Sequence, residues 1–246
     1  MSRPARKSFR IRPIANRIAV LASGGLDSSV LLAFLARRRH IVYPIYVRAG
    51  LNWEKVEIAS LRRLIDALDS PRIRPLVILD LPYGDIAPDH WSVTGTKVPG
   101  YRAPTESNYI IGRNLSLLAK AAIFCAYNRI GALAMAPLDA NPFPDAQPRF
   151  FAAMTHAIDL GVGLKLKIKT PFLGLSKAQV IRRGRDLPFA LTFSCARPKR
   201  GLHCGECTKC AERIESFRQA GVADPTRYAR ATEVRPRRAA RPTRAR

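Results

Sequence analysis

The chain has 246 residues, 47% of them hydrophobic, and a formal charge of +24. Such a length and apolar content suit one domain with a sizeable core, or one domain plus a small appendage, and exclude wholesale disorder. No apolar run is read as approaching the ~18 residues of a membrane span and no signal-peptide stretch is present, so no membrane partner is expected and the cytoplasm is the expected compartment.

Residues 1–16 read as a basic, disordered tail; the first 17 residues carry six Lys/Arg and no acid. A buried strand is expected at 18–22, a helix at 27–39 and a β-branched strand at 40–48. Residues 53–68 place Val56, Ile58, Leu61, Leu64, Ile65 and Leu68 largely on one helical face. A third strand follows at 74–81. This β-α-β-α-β order predicts an α/β fold, doubly wound around a mainly parallel sheet. Residues 82–111, rich in Pro and Gly, read as a long irregular loop, which in a compact domain is usually functional. Then come a helix at about 113–129, a short strand at 131–137, a proline-rich loop at 138–148 and a helix at 149–160. An alternating strand is expected at 165–172, and a helix capped by Ser176 at 177–186.

The residues 23–29, SGGLDSS, fall between the first strand and the first helix. Ligands of doubly wound sheets bind beyond the C-terminal ends of strands. Gly24 and Gly25 permit unusual torsions and close approach, the following helix offers free N–H groups, and Ser23, Ser28 and Ser29 add hydroxyls. Together they make a nest for phosphate oxygens. The glycine spacing excludes G-x-G-x-x-G, and the lack of lysine excludes the Walker loop. Asp27 alone reads equally as a helix cap.

The hexad SGGLDS closely resembles the pyrophosphate loop of the N-type ATP pyrophosphatases, whose fold is adenine nucleotide alpha hydrolase-like. The resemblance implies that ATP is split to AMP and pyrophosphate. It implies cofactor binding by Leu21, Ala22, Ser23, Gly24, Gly25, Leu26, Asp27, Ser28 and Ser29, with Ser23, Asp27 and Ser28 catalytic and Mg²⁺ accompanying ATP.

Four of the five cysteines lie within residues 195–210. Cys204, Cys207 and Cys210 are two residues apart, so their thiolates can converge on one ion with Cys195, as structural Zn²⁺ favours. An iron–sulfur cluster stays open, because ligand type alone does not choose the metal. Lys199, Arg200 and Lys209 are expected to offset the thiolate charge. His203 reads as a neighbour of the site and Cys125 as core. Residues 17–193 are thus expected as the ATP-binding domain and 194–226 as a small C-terminal zinc-binding, helical segment.

Loop and knot together resemble the 7-cyano-7-deazaguanine synthase family of the queuosine pathway, over about residues 17–218. IGRN (111–114) resembles its P-G-R-N segment, NPFPDAQPRFF (141–151) its G-Y-P-D-C-R-P-E-F loop, and KIKTPFLGLSKAQVI with LTFSC the approach to its first zinc cysteine. The chain departs from the family at Ala146-Gln147, where Cys-Arg is usual, at Phe143, where Tyr is usual, and at Trp53, where His is usual.

The resemblance implies a ligase. The carboxylate of 7-carboxy-7-deazaguanine attacks the α-phosphorus of ATP, ammonia displaces AMP to give the amide, and a second adenylation leads to the nitrile. Gly112, Arg113, Asn114 and Asp145 are expected to bind substrate. The bland readings are a solvated arginine at a helix start and a turn aspartate. The departures keep open conjugation of a deazaguanine carboxylate to another amine, on a protein for example. The basic tails keep open a tRNA-modifying pyrophosphatase. A homodimer stays open too.

Residues 227–246 carry eight Arg and one Glu and read as a second disordered tail. Contact with nucleic acid is one reading of the tails. Solvated, arginine-biased ends are the favoured one, because no aromatic residues interleave.

Overall fold

The computed structural model describes residues 10–139 and 141–230. Five strands form one parallel sheet in the order β3-β2-β1-β4-β5. They are β1 (Arg17–Leu21), β2 (Ile41–Arg48), β3 (Val77–Asp80), β4 (Ala132–Ala134) and β5 (Lys167–Lys169). The strand order reverses between β1 and β4, which opens a crevice at their C-terminal ends.

Central β1 explains its continuous apolar run, because it is covered on both faces. Ile18 and Val20 enter one core with α1 (Leu26–Arg37), α2 (Glu54–Leu68), α6 (Lys177–Arg183) and α7 (Thr208–Ala220). Ala19 enters the other, with α4 (Arg113–Tyr127) and α5 (Pro148–Val162). Helix α6 starts at a complete capping box between Ser176 and Gln179.

Several boundaries differ from the sequence expectation. The expected 82–111 loop contains a one-turn helix, α3 (Trp91–Thr94), and a 3₁₀ turn at Thr105–Asn108. Residues 10–16, expected as tail, are held: Ile11 N donates to Gly163 O at 2.8 Å and Ile14 N to Arg129 O at 2.7 Å. Residues 227–230, expected as the start of the other tail, are held too. Ala229 N donates to His203 O at 2.8 Å, and the Tyr228 hydroxyl bonds Asp224 at 2.6 Å. The remaining tail residues, 1–9 and 231–246, lie outside the described residues.

The C-terminal segment is not a free-standing appendage. Phe217 of α7 is fully buried in the core that holds α1. Thr105–Tyr127 has the length and mean hydropathy of a membrane span by composition alone. In the fold it breaks at Tyr109–Gly112, and its helical part buries Leu118, Ala121, Ala122 and Cys125 against the sheet. It is a core helix with an exposed outer stripe.

Candidate active site and metal centre

The loop 23–29 turns sharply out of β1 because Gly24 takes a left-handed φ of +78°. A Cβ there would lie 3.0 Å from Glu57 O and 3.3 Å from Leu61 Cβ, so α2 presses directly on the loop. Gly24 O also accepts from Phe193 N at 2.8 Å, tying the loop to the stretch before the first knot cysteine. Inside the loop, Ser28 Oγ accepts from Ser23 N at 3.2 Å, and Ser23 Oγ accepts from Gly25 N at 3.3 Å. Ser29 Oγ donates to Gly25 O at 2.6 Å. These bonds fix a concave backbone at the N-terminus of α1.

Two cavities meet at this loop. The first, about 230 Å³, lies in the crevice at the ends of β1, β2 and β4, and is lined by Leu21, Ala22, Ser28, Tyr46, Asn114 and Met135 among others. The second, about 240 Å³, is walled by Trp53, Trp91, Ile110 and Phe193, with Glu57, Lys177, Lys209 and Glu212 on its polar side. Ser23, Gly25, Asp27 and Arg113 line both. Trp53 and Trp91 stack with ring centroids 5.7 Å apart. The position where the resembled family carries histidine is therefore part of a flat aromatic wall.

Charge converges where the cavities join. Lys177 Nζ lies 3.2 Å from Asp27 Oδ2 and 2.5 Å from Glu212 Oε1, and Lys209 lies 3.1 Å from Glu212 Oε2. Burial raises the Asp27 pKa above the usual carboxylate range against the pull of Lys177. Burial also works on Glu212, but Lys177 and Lys209 outweigh it and hold that carboxyl below its usual range. Burial alone would lower the Lys177 pKa; Asp27 and Glu212 raise it instead. Glu57 accepts from the Tyr46 hydroxyl at 2.7 Å, and burial pushes its pKa up to about 7.

Two buried polar atoms at the junction have no partner among the described residues: Asp27 Oδ1 and Arg113 Nε. Buried polar groups are normally satisfied, so these two call for partners from outside the described residues: an acceptor for Arg113 Nε, and a donor or cation for Asp27 Oδ1. A phosphate chain suits this donor set: backbone N–H groups of a helix start, a guanidinium and two lysines.

Not every expected residue faces the cavities. Leu21, Ala22, Ser23, Gly25, Leu26, Asp27 and Ser28 line one or both, whereas Gly24 and Ser29 line neither and shape the loop from behind. Arg113 and Asn114 line the cavities; Gly112 and Asp145 do not. Asp145 is buried and spent on the start of α4: Oδ2 accepts from Asn114 N at 2.8 Å, and its carbonyl accepts from Asn114 Nδ2 at 3.0 Å. Asp145 thus has a capping role that orients Asn114. Gly112 serves as the left-handed N-cap residue, with φ +67°. Of the residues that depart from the resembled loop, Ala146 is buried, while half-buried Phe143 stacks on Tyr109 at 4.9 Å and Gln147 Nε2 donates to Asn141 O and Phe143 O.

The sequence reading did not single out Lys177, Glu212 or Glu57. Their signal was weak, being single charged residues in amphipathic helices whose outward or inward aim depends on packing.

The four cysteines form a closed cluster. Cys195, Cys204, Cys207 and Cys210 are all buried, with sulfurs within 4.8 Å of one another. The Cys195–Cys207, Cys204–Cys210 and Cys207–Cys210 separations are 3.9, 3.8 and 3.6 Å. A tetrahedron of sulfurs about 2.3 Å from zinc has an edge of about 3.8 Å, so the geometry fits that ion. Backbone N–H groups of Arg197 and Cys204 donate to Cys195 Sγ, and that of Glu206 donates to Cys204 Sγ. Two of the three cations expected to balance the thiolates pair with carboxylates: Lys199 with Glu206 and Lys209 with Glu212.

The knot also holds more than the C-terminus. Cys207 bridges to Gly100, Thr208 N donates to Pro99 O at 3.1 Å, and Thr208 Oγ1 donates to Asn108 at 2.7 Å. Asn52 Nδ2 reaches Ala196 O at 2.9 Å. The cluster therefore fastens the 82–111 loop and α7 around the second cavity, and its cysteines share a small core with Trp53 and Phe193.

Residues 17–221 match the family described as queuosine biosynthesis protein QueC. Among curated relatives, the 7-cyano-7-deazaguanine synthase of Anaeromyxobacter dehalogenans is 34% identical over 233 residues, covering 88% of this chain and 97% of its own length. That of Syntrophobacter fumaroxidans is 31% identical over 238 residues, covering 87% and 97%. Similar solved structures include a 4-thiouridine synthetase–RNA complex with bound ATP, with TM-score 0.45, 12% identity, and 83% and 50% of the two chains covered. Another is a predicted subunit of tRNA methyltransferase from Methanocaldococcus jannaschii, with TM-score 0.44, 13% identity, and 67% and 71% covered.

Proposed function

The chain belongs to the family of queuosine biosynthesis protein QueC, and from that premise we propose that it converts 7-carboxy-7-deazaguanine and ammonia to 7-cyano-7-deazaguanine, consuming ATP to AMP and pyrophosphate. The observation that carries this reading is the junction of two cavities at Ser23, Gly25, Asp27 and Arg113. An adenylation needs its two reactants to meet at one phosphorus, and two pockets sharing a phosphate-binding wall supply that geometry.

In this reading the first cavity takes the adenosine end of ATP, at the switch point of the sheet. The loop 23–29 and the start of α1 cradle the phosphates, and Mg²⁺ carried with ATP adds charge neutralisation there. Ser23 and Ser28 hold the loop backbone in place, while Asp27 orients Lys177 across the junction. Arg113 stands where both cavities can use its planar fork, on the phosphate undergoing attack or on the substrate carboxylate. The second cavity takes the flat bicyclic ring, whose shape suits the Trp53–Trp91 wall. Zinc in the cysteine cluster has a closed set of four ligands and serves to hold this wall.

The test incubates the protein with ATP, Mg²⁺, ammonium and 7-carboxy-7-deazaguanine, with products read by mass spectrometry. The nitrile is expected, with AMP and pyrophosphate. A product stopping at the amide, or a conjugate to a protein amine, would replace this reading with the related amidating one. No pyrophosphate release would refute both.

A further inference from the structure

We propose that Glu57 is the proton acceptor that turns bound ammonium into the attacking ammonia. The inference rests on the synthase reading above and assigns one step within it. At neutral pH ammonia exists mostly as ammonium, which has no lone pair to attack with. A site that uses free ammonia needs an anionic group that binds the cation and removes one proton beside the activated carbonyl.

Three carboxylates line the second cavity: Asp27, Glu57 and Glu212. Asp27 is paired with Lys177, and Glu212 with both Lys177 and Lys209. Among the described residues Glu57 has no ion-pair partner, and its bonded neighbours are neutral: the Tyr46 hydroxyl at 2.7 Å and Trp53. Glu54, one helical turn earlier, is unavailable, since its two oxygens accept from Ala49 N and Gly50 N.

Position favours Glu57 as strongly as its lack of a counter-ion. Its residue is 6% exposed, yet it lines the cavity. Its backbone carbonyl lies 3.0 Å from where a Cβ on Gly24 would stand, so α2 meets the phosphate loop at this very residue. Charged or titratable groups acting on it are Arg113 from α4, Glu54 from α2 and Tyr46 from β2. Burial and Glu54 make the carboxyl more basic, Arg113 and the two hydrogen bonds hold it back, and the result is a group titrating at about 7. A base poised near the working pH is the efficient kind.

The step balances. Ammonium gives one proton to the Glu57 carboxylate. The freed nitrogen lone pair forms the C–N bond to the acyl carbon. The C–O bond to AMP breaks and AMP leaves with that electron pair. A second proton leaves the nitrogen for solvent, giving the neutral amide.

The experiment compares Glu57→Gln with the parent protein, using two nucleophiles under otherwise equal conditions: ammonium and hydroxylamine. Hydroxylamine is a far weaker base, already neutral near pH 7, and needs no proton acceptor before attack. Glu57→Gln should form amide from ammonium at least about 10²-fold more slowly, while hydroxamate formation stays within a few-fold of the parent. Hydroxamate formation is also the folding control. In the parent, the ammonium reaction should rise through about pH 7 more steeply than the hydroxylamine reaction. Amide formation by Glu57→Gln at the parental rate would overturn the assignment. So would an equal loss with both nucleophiles, together with matching pH profiles in the parent. If the parent releases no pyrophosphate with either nucleophile, the synthase reading itself falls, which is a separate and recognisable result.

Discussion

Adjacent glycines in the phosphate loop should fail in opposite ways when each is changed to alanine. Gly24 sits at φ +78°, behind the loop and outside both cavities. An L side chain in that left-handed region costs roughly 1–2 kcal/mol. Its Cβ would also stand 3.0 Å from Glu57 O, a backbone atom that can yield only if α2 moves. That crowding adds about 1 kcal/mol, for a total of about 2–3 kcal/mol. At about 2–4 °C per kcal/mol for a chain of this size, Tm should fall by about 4–12 °C. Gly25 is different. Its φ is −74°, its Cβ would meet the Ser23 hydroxyl at 3.3 Å, and it lines both cavities. A hydroxyl can rotate, and Gly→Ala gains about 0.4–1 kcal/mol through the unfolded chain, so Tm should change little. The methyl group would, however, occupy the space where, on the proposed function, phosphate approaches the backbone. A displacement of about 1 Å there costs on the order of 10²-fold in rate. Melting curves and pyrophosphate release on the two variants separate these effects. Equal Tm losses, or a Gly25→Ala protein with parental turnover, would refute the division between a shaping glycine and a contact glycine.

Cys207→Ser should lower zinc content and Tm together, since metal binding and folding are coupled. Elemental analysis should find one zinc per parental chain and much less in the variant; iron would overturn the zinc assignment. Asp27→Asn should reduce pyrophosphate release by about 10²–10³-fold while slightly raising stability at neutral pH. The sign follows from the Asp27 pKa, which burial raises in the folded state: ionised Asp27 then weighs against folding above its unfolded pKa, and the advantage of asparagine should fade as pH falls below about 4. Denaturant melts at pH 4 and pH 7 check this, and a variant less stable at pH 7 would contradict it. Tyr228→Ala should lower stability by about 1 kcal/mol, measured by the same melts, because its hydroxyl holds Asp224 and its ring meets His203.

The first cavity was legible in the sequence because its parts are local. A buried strand, two glycines and a helix start occur in one run of residues, and each has a short-range signature. The four cysteines were legible for a similar reason, since their spacing alone lets them converge. The capping role of Asp145 was not legible, because the sequence shows a carboxylate near a proline turn but not which backbone N–H it will cap; Asn114 lies 31 residues away. Lys177 was invisible as a site residue because its two acidic partners come from α1 and α7, which only the tertiary fold brings together. The expected 131–137 and 165–172 strands proved shorter, at three residues each, because only Ala132–Ala134 and Lys167–Lys169 pair with each other as strands.

The second cavity has a different origin, and its dependence on the cysteine cluster follows from that. Trp53 comes from the start of α2, Trp91 and Ile110 from the long loop, Phe193 from the approach to Cys195, and Glu212 from α7. No sheet hydrogen bonds order Trp91 or Ile110. Their loop is instead anchored by Asn52 N on Ser92 O, by Cys207 against Gly100 and by Thr208 against Pro99 and Asn108. Lys209 and Glu212 follow directly on the same helix, so the register of α7 sets both the knot and the charges that hold Lys177. Metal loss should therefore unpick the Trp53–Trp91 wall and the lysine pair before it disturbs the crevice between β1 and β4. The physical reason is that the crevice is built from strand ends covered on both faces, while the wall has, besides the Asn52 N to Ser92 O bond at 2.9 Å, mainly the bonds around the cysteine cluster to hold the loop. A partially demetallated protein should keep nucleotide binding in the crevice while losing turnover of the second substrate. Titrating ATP by calorimetry before and after chelation, with turnover followed in parallel, tests that order; simultaneous loss of both would show that the two cavities are one cooperative unit.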